Sequence, residues 1–328
     1  MSFLIKPKRI LIIGGYGFSN IGDEAILGGL LKYLEDVLGY NKNIHKITVF
    51  SNNPNYTMTI HGIDAKKNII HQILRSDIII IGGGELFSEY KLLLYKNSFL
   101  VILARLLNKK IYLIGIGIDI KKLISKLLLK FVFRLVDSIS VRDKSSMQIL
   151  HDICINNVQL MQDLAFYGLR PIKSSLIDNF MKQHGLTPYN FIIIVIRPYD
   201  NSTQLSFYIN IIKMLAKNNR VVLIPFSKHQ SSHEDNDLNV IQQIKRVCEQ
   251  EITIFDPHNT HPNVVLYFIS MSKLVISSRL HPLIFAKVAN VKSIAMLPLY
   301  QSKKVRTFAE ENNIPIITPN NFKDVLGA

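Results

Sequence analysis

Short apolar runs, each closed by glycine or a polar turn, recur along the chain, and stretches with helical periodicity separate them. In the first half the runs are Arg9–Gly14, Lys46–Phe50, Asp77–Ile81, Lys110–Gly117 and Ser138–Arg142. In the second they are Phe191–Ile196, Arg220–Pro225, Glu251–Phe255, Lys273–Ile276 and Lys292–Met296. Runs that are apolar at nearly every position belong to strands buried on both faces. Alternation with helices marks parallel sheets joined by right-handed crossovers. The first run passes through Gly15–Gly22 into an amphipathic stretch, Asp23–Leu38, and strand, glycine turn and helix together open a Rossmann-like unit. The predicted fold class is therefore α/β: two Rossmann-like domains with parallel sheets and a cleft between them. The first spans residues 1–170 and the second residues 189–328. Residues 171–188, richer in Pro, Ser, Lys and Gly, read as a linker region with one short helix.

Composition narrows the function classes. A chain of 328 residues suits two domains, and 48% hydrophobic against 19% charged residues excludes a disordered protein. Cys154 and Cys248 lie far apart, with neither a disulfide framework nor metal-ligand spacing, which fits a reducing compartment. The formal net charge of +15 favours polyanions: acidic membranes, phosphorylated substrates or nucleic acid. Nucleic acid is set aside, since no recognition motif and no interleaving of aromatic and basic residues is present. Met1–Arg9 runs directly into the first strand without a signal peptide. The greasiest stretch, Leu92–Leu107, is broken by Lys96, Asn97 and Arg105 and falls short of the roughly 20 apolar residues a spanning helix needs. A cytoplasmic location is expected. Lys122, Lys126, Lys130 and Arg134 recur every four residues, a basic stripe that suits an anionic membrane surface and peripheral association. The competing reading is a sheet-covering helix whose lysine face is solvated.

Candidate chemistry gathers where strands end, the edge at which open α/β sheets bind ligands. Ser277, Ser278, Arg279 and His281 follow a short strand and precede a helix with Pro282 near its first turn. A fixed cation beside an imidazole suits anion binding and proton transfer; the alternative is an Arg paired to a nearby acid. The first glycine turn lacks a third glycine at dinucleotide spacing, and the second strand ends in Ser51-Asn52 without a ribose-binding acid. Asp23 and Glu24 at the helix start would repel a pyrophosphate. Asp23 is either a helix-stabilising acid or a base beside a glycine turn that admits a ligand. Gly82-Gly83-Gly84 is either a tight turn or a set of amides for an oxyanion or sugar hydroxyl. Arg142 and Arg197 stand near strand ends in the two halves. With Arg279 and one or both of Lys303 and Lys304 they form a candidate cage for a small, highly charged anion.

Taken in order, the motifs resemble the polysaccharide pyruvyl transferase family. The matching segments are Gly14–Ala25, Gly82–Leu86, Gly115–Gly117, Ser140–Asp143, Asp163–Phe166, Arg197, Ser278–His281 with Phe285-Ala286, and Tyr300–Lys304. The resemblance implies a two-domain fold similar to GT-B glycosyltransferases. It also implies transfer of pyruvate from phosphoenolpyruvate, as a ketal, to a sugar of a surface glycan or its lipid-linked precursor. No cofactor and no metal are implied. The family's essential acid, arginine, histidine and lysine fall here on Asp23, Arg142, His281, and Lys303 or Lys304. The lysine is divided between two positions, because Tyr300-Gln-Ser-Lys-Lys-Val305 has one residue more than the family's Tyr-Asp-x-Lys-Val and lacks its Asp. His281 is then the acid that protonates the donor's methylene carbon, or a charged phosphate ligand. Asp23 takes the sugar hydroxyl's proton from the acceptor-side domain. The remaining alternatives are a nucleotide-sugar glycosyltransferase of the same fold and a catalytically inactive scaffold.

Overall fold

The computed structural model describes residues 7–40, 45–198, 202–229, 235–248, 252–298 and 303–327. The chain divides into two compact units, Met1–Phe18 with Asp23–Gly168, and Ser19–Gly22 with Leu169–Ala328.

The first unit carries β1 (Arg9–Ile13), β2 (Lys46–Phe50), β3 (Asp64–Lys66), β4 (Ile78–Gly82), β5 (Glu85–Ser88), β6 (Lys110–Asp119), β7 (Ser138–Val141) and β8 (Gln159–Leu160). They form one parallel sheet in the order β3-β2-β1-β4-β6-β7-β8, with β5 paired to the far half of β6. The order reverses between β1 and β4, so the loops leaving these two strands flank the switch point where a ligand crevice opens. Ile78–Ile81 are all buried because helices cover both faces of the strand. Ile79, Ile81 and Leu113 pack with Leu100, Val101 and Ala104 from the helix Leu93–Leu106. Burying each large aliphatic side chain contributes about 1.5–3 kcal/mol.

The second unit repeats the plan with β9 (Phe191–Val195), β10 (Arg220–Leu223), β11 (Thr253–Ile254), β12 (Leu274–Ser277), β13 (Ser293–Met296) and β14 (Ile316–Ile317). Their order is β11-β10-β9-β12-β13-β14, again parallel throughout, and the reversal lies between β9 and β12. Ile192, Ile194 and Ile276 meet Phe207, Ile211 and Ile241 in the core. The linker region holds one helix, Ser175–Gln183.

The two-residue and three-residue strands β3, β8 and β14, and β5 directly after the glycine triplet, carry no apolar run long enough to read from sequence. The basic stripe also changes character. The helix around it runs only over Leu123–Phe133 and buries Ser125, Leu129, Val132 and Phe133. What it turns to solvent is mainly Leu123, Ile124, Leu127 and Phe131, with Lys126 and Lys130 half-buried beside them. The expected solvated lysine face is thus corrected to an apolar one with cationic flanks. No helix among the described residues is long and apolar enough to cross a membrane.

Candidate active site

In the first unit the loops after β1 and β4 are tied together by Tyr16. Its hydroxyl donates to the Gly82 carbonyl at 2.6 Å, and the ring is 1% exposed. A side chain at Gly14 would overlap that ring, so glycine there is what lets Tyr16 lie across the switch point. Burial, reinforced by the carboxylates of Asp23, Glu24 and Asp163, pushes the Tyr16 phenol well above its ordinary range and keeps it a proton donor.

The two acids that open the helix Ile21–Asp36 divide their tasks. Glu24 is buried and accepts from the Gly17 amide at 2.9 Å and meets His61 Nε2 at 2.9 Å. It closes the glycine turn, as a first-turn carboxylate should. Asp23 is half-buried, and its carboxylate lies over Gly15, where a methyl group would come within 3.6 Å of Oδ2. Both acids stand in the helix's first turn, where a carboxylate stabilises it, and Glu24 in addition holds the glycine turn and His61, a partner that nothing near it in sequence announces.

The glycine triplet is equally divided. The Gly83 amide donates to the Ile114 carbonyl at 2.9 Å, and its left-handed backbone (φ 66°) packs against Ile26. That amide is committed to the fold, contrary to its expected role toward a ligand. Gly84 (φ 75°) faces open space.

Arg142 emerges after β7 and lies over Gly117 with its side chain 7% exposed. Its Nη1 donates to Asp163 Oδ2 at 3.1 Å, and Nε stands 3.7 Å from Asp143 Oδ2. Asp143 also caps the helix Lys144–Asp152 by accepting from the Ser146 amide at 2.7 Å. Asp163 accepts from the Ala165 amide at 3.0 Å.

In the second unit, Arg197 follows β9 and Ser278–His281 follow β12, the two strands that flank the switch point. The Arg197 amide donates to Ser278 Oγ at 2.8 Å, which fixes the two loops together. Ser277 Oγ accepts from the Arg279 amide and donates to the Arg279 carbonyl, a local turn that ends the strand. The helix Leu280–Val288 begins before Pro282, so His281 sits inside its first turn and not in the loop.

Arg279 is paired with Asp237, a residue 0% exposed at the start of the helix Asp237–Val247. Arg279 Nε lies 2.9 and 2.8 Å from the two carboxylate oxygens, and Nη2 also donates to Oδ1. Asp237 accepts in addition from the amides of Phe226 and Ser227 at 3.0 Å. Burial pushes its carboxyl up from the ordinary value, while Arg279 and the two amides pull it down. Phe226 and Ser227 in turn hold the segment Ser19–Gly22: the Ile21 amide donates to the Phe226 carbonyl at 2.9 Å, and Asn20 bridges Ser227. This segment belongs to the second unit for that reason. Its last residue, Gly22, is the surface on which the His281 imidazole rests, since any Cβ there would overlap Nδ1.

Arg197 likewise pairs with Asp235, Nη2 to Oδ1 at 3.0 Å. The alternative of an Arg paired to a nearby acid therefore holds for all three arginines: Arg197 and Arg279 pair with Asp235 and Asp237, and Arg142 lies between Asp163 and Asp143. Neither Asp235 nor Asp237 has a local sequence signal, because each meets its arginine across more than thirty residues. Lys303 and Lys304 are exposed in the first turn of the helix Lys303–Glu311, which packs against both β13 and the helix Leu280–Val288. Tyr300, Gln301 and Ser302, which set the register of the two lysines, lie outside the described residues.

Comparison with known proteins gives three findings. A family model described as polysaccharide pyruvyl transferase matches residues 20–298. Among curated proteins, none matches by sequence. Among solved structures, UDP-GlcNAc 2-epimerase of Methanocaldococcus jannaschii, in complex with UDP-GlcNAc and UDP, aligns with a TM-score of 0.62 at 12% identity, covering 94% of this chain and 89% of its own. Anabaena Alr3699/HepE in complex with UDP gives 0.57 at 13%, covering 95% and 86%. The E. coli ADP-heptose LPS heptosyltransferase II gives 0.50 at 15%, covering 89% and 85%. At these identities the likeness shows the fold: two parallel-sheet α/β domains of GT-B type.

Proposed function

Because the chain belongs to the polysaccharide pyruvyl transferase family, we propose that it transfers pyruvate from phosphoenolpyruvate, as a ketal, to a sugar of a surface glycan or its lipid-linked precursor. The observation that carries the donor assignment is the placement of Arg197, Arg279 and His281 at the carboxyl ends of the two strands flanking the second unit's switch point.

Phosphoenolpyruvate is compact and carries a phosphate and a carboxylate. It calls for oriented donors and for net positive charge, and this chain divides those tasks. The aspartates beside Arg197 and Arg279 hold the guanidinium planes in fixed directions, so little is lost in ordering them at binding. Lys303 and Lys304 add two cationic side chains at the start of the helix Lys303–Glu311. Two lysines in the first turn of a helix oppose its dipole, an arrangement that a bound anion would reverse in sign. Arg142 supplies a further guanidinium on the first unit.

His281 protonates the methylene carbon C3, leaving an oxocarbenium-like C2. A sugar hydroxyl attacks C2, the bond from C2 to the phosphate oxygen breaks, and phosphate departs. A second hydroxyl of the same sugar closes the ketal. Of the two hydroxyl protons, one balances that given to C3 and the other leaves with phosphate or solvent. Asp23, over the open Gly15, accepts the proton of the attacking hydroxyl. The phosphoenolpyruvate pool is cytoplasmic, and the reaction is placed there with it.

A nucleotide-sugar glycosyltransferase is the second reading, favoured by two structures of like fold that are complexes with UDP. Thermal-shift titration separates the two. A rise in melting temperature with phosphoenolpyruvate and none with UDP-sugars supports pyruvyl transfer; the reverse overturns it.

A further inference from the structure

The helix Leu123–Phe133 has its apolar residues on two sides. One side buries Leu129, Val132 and Phe133 against the sheet. The other carries Leu123, Ile124, Leu127 and Phe131 at 72%, 68%, 58% and 56% exposure. The helix Leu93–Leu106 packs beside it and turns Tyr95, Phe99 and Leu106 outward, Leu106 at 77%. Leu92, just before that helix, is 66% exposed and sits in the left-handed region (φ 60°), which a leucine side chain disfavours. Single exposed apolar residues are ordinary, but a run of large ones along two neighbouring helices marks an interaction surface. Exposures this high belong to side chains that project, not to the lining of a groove.

Charge selects the occupant. Residues 90–134 contain ten Lys and Arg and one acid, Asp119. Lys126 and Lys130 flank the apolar row on the outer helix, and Lys122 and Arg134 stand exposed at its two ends. Lysine stems lie along apolar surface while their ammonium groups reach outward, which gives an apolar centre with a cationic rim. A second copy of this face would bring two cationic rims together. An anionic lipid surface complements both parts at once.

We propose that the outer faces of the helices Leu93–Leu106 and Leu123–Phe133 dock on an anionic bilayer, lying at its interface without crossing it. This inference stands apart from the reaction proposed above and is tested without it. The purified full chain is sedimented with phosphatidylcholine vesicles and with vesicles containing one-third phosphatidylglycerol, at low and high salt. Binding to the anionic vesicles should exceed that to neutral ones by at least about tenfold and fall as salt screens the lysines. Leu127→Ser with Phe131→Ser should lower binding about tenfold or more with an unchanged circular dichroism spectrum, since both side chains are already in solvent. Should that pair unfold the chain, Phe99→Ser with Leu106→Ser on the other helix carries the same test. Lys126→Gln with Lys130→Gln should remove much of the salt dependence. Protein left in the supernatant with anionic vesicles overturns the proposal. So does a sedimentation-velocity dimer that the serine variants convert to monomer while vesicle binding is unchanged.

Discussion

Replacing Gly22 with alanine adds one methyl group and tests the placement of His281 without touching the histidine. The new Cβ would overlap Nδ1 and Cγ of the imidazole and come within 2.9 Å of its Cβ. Carbon atoms at rest stand about 3.5–4.0 Å apart, so the imidazole must retreat by on the order of 1 Å. The ring atoms can swing away about the side-chain torsions, but the 2.9 Å approach to the His281 Cβ is relieved only by a small shift of the backbone. Alanine favours a helix over glycine by about 1 kcal/mol, which offsets part of the roughly 1–3 kcal/mol that overpacking costs, so the melting temperature should fall by no more than a few degrees. A displacement of about 1 Å in a proton donor costs on the order of 10²-fold in kcat. The assay is phosphate release from phosphoenolpyruvate in the presence of a glycolipid extract. Gly28→Ala is the control: it lies on the same helix, and its methyl group would meet only His61, at 3.7 Å, an ordinary contact. Gly28→Ala should keep nearly full activity. A Gly22→Ala enzyme whose kcat stays within about threefold of the parent would refute the reasoning, because that geometry does not allow the imidazole to stay where it is.

Removing one partner of the buried Asp237–Arg279 pair should cost about 3–5 kcal/mol in urea unfolding for Asp237→Ala, and less in the presence of Arg279→Ala than the two single losses summed. Additive losses would show that the pair is not coupled. Tyr16→Phe leaves the Gly82 carbonyl without its donor and should destabilise by about 1–3 kcal/mol. In the parent, the raised Tyr16 pKa means stability that is full below the ordinary tyrosine value of 10.0 and declines as pH climbs above it, because the unfolded phenol ionises first. Tyr16→Phe should flatten that alkaline decline, read from melting temperatures across the range. Gly83→Ala combines a positive φ with overlap onto Ile26 and should lower stability by about 2–4 kcal/mol, whereas Gly84→Ala, facing open space, should suffer the backbone strain alone.

The strands that carry the site were legible because they are buried on both faces. Ile78–Ile81 and Phe191–Ile196 leave no other reading. The loops after them were legible as candidate sites for a topological reason, since parallel strands deliver their ends to one edge. What escaped was pairing across long sequence separations. Asp237 lies forty-two residues from Arg279, and Glu24 lies thirty-seven from His61. In neither case does the intervening chain carry a periodic trace of the contact. The two acids Asp23 and Glu24 are adjacent in sequence, and only the direction of their side chains separates the one that closes the turn from the one over Gly15. Periodicity also left the helix Leu123–Phe133 ambiguous. With leucine or phenylalanine on both sides, spacing alone does not say which side meets the sheet, and the lysines drew attention from the apolar row beside them.

The proposed chemistry is met most directly by incubating the enzyme and a glycolipid extract with phosphoenolpyruvate labelled in its three carbons. The account predicts label in the glycan as an acid-labile pyruvate ketal, one phosphate released for each pyruvyl group transferred, and loss of both in His281→Ala. Label that enters the glycan undiminished in His281→Ala, or no label in the glycan while a UDP-sugar is consumed in its place, would contradict it.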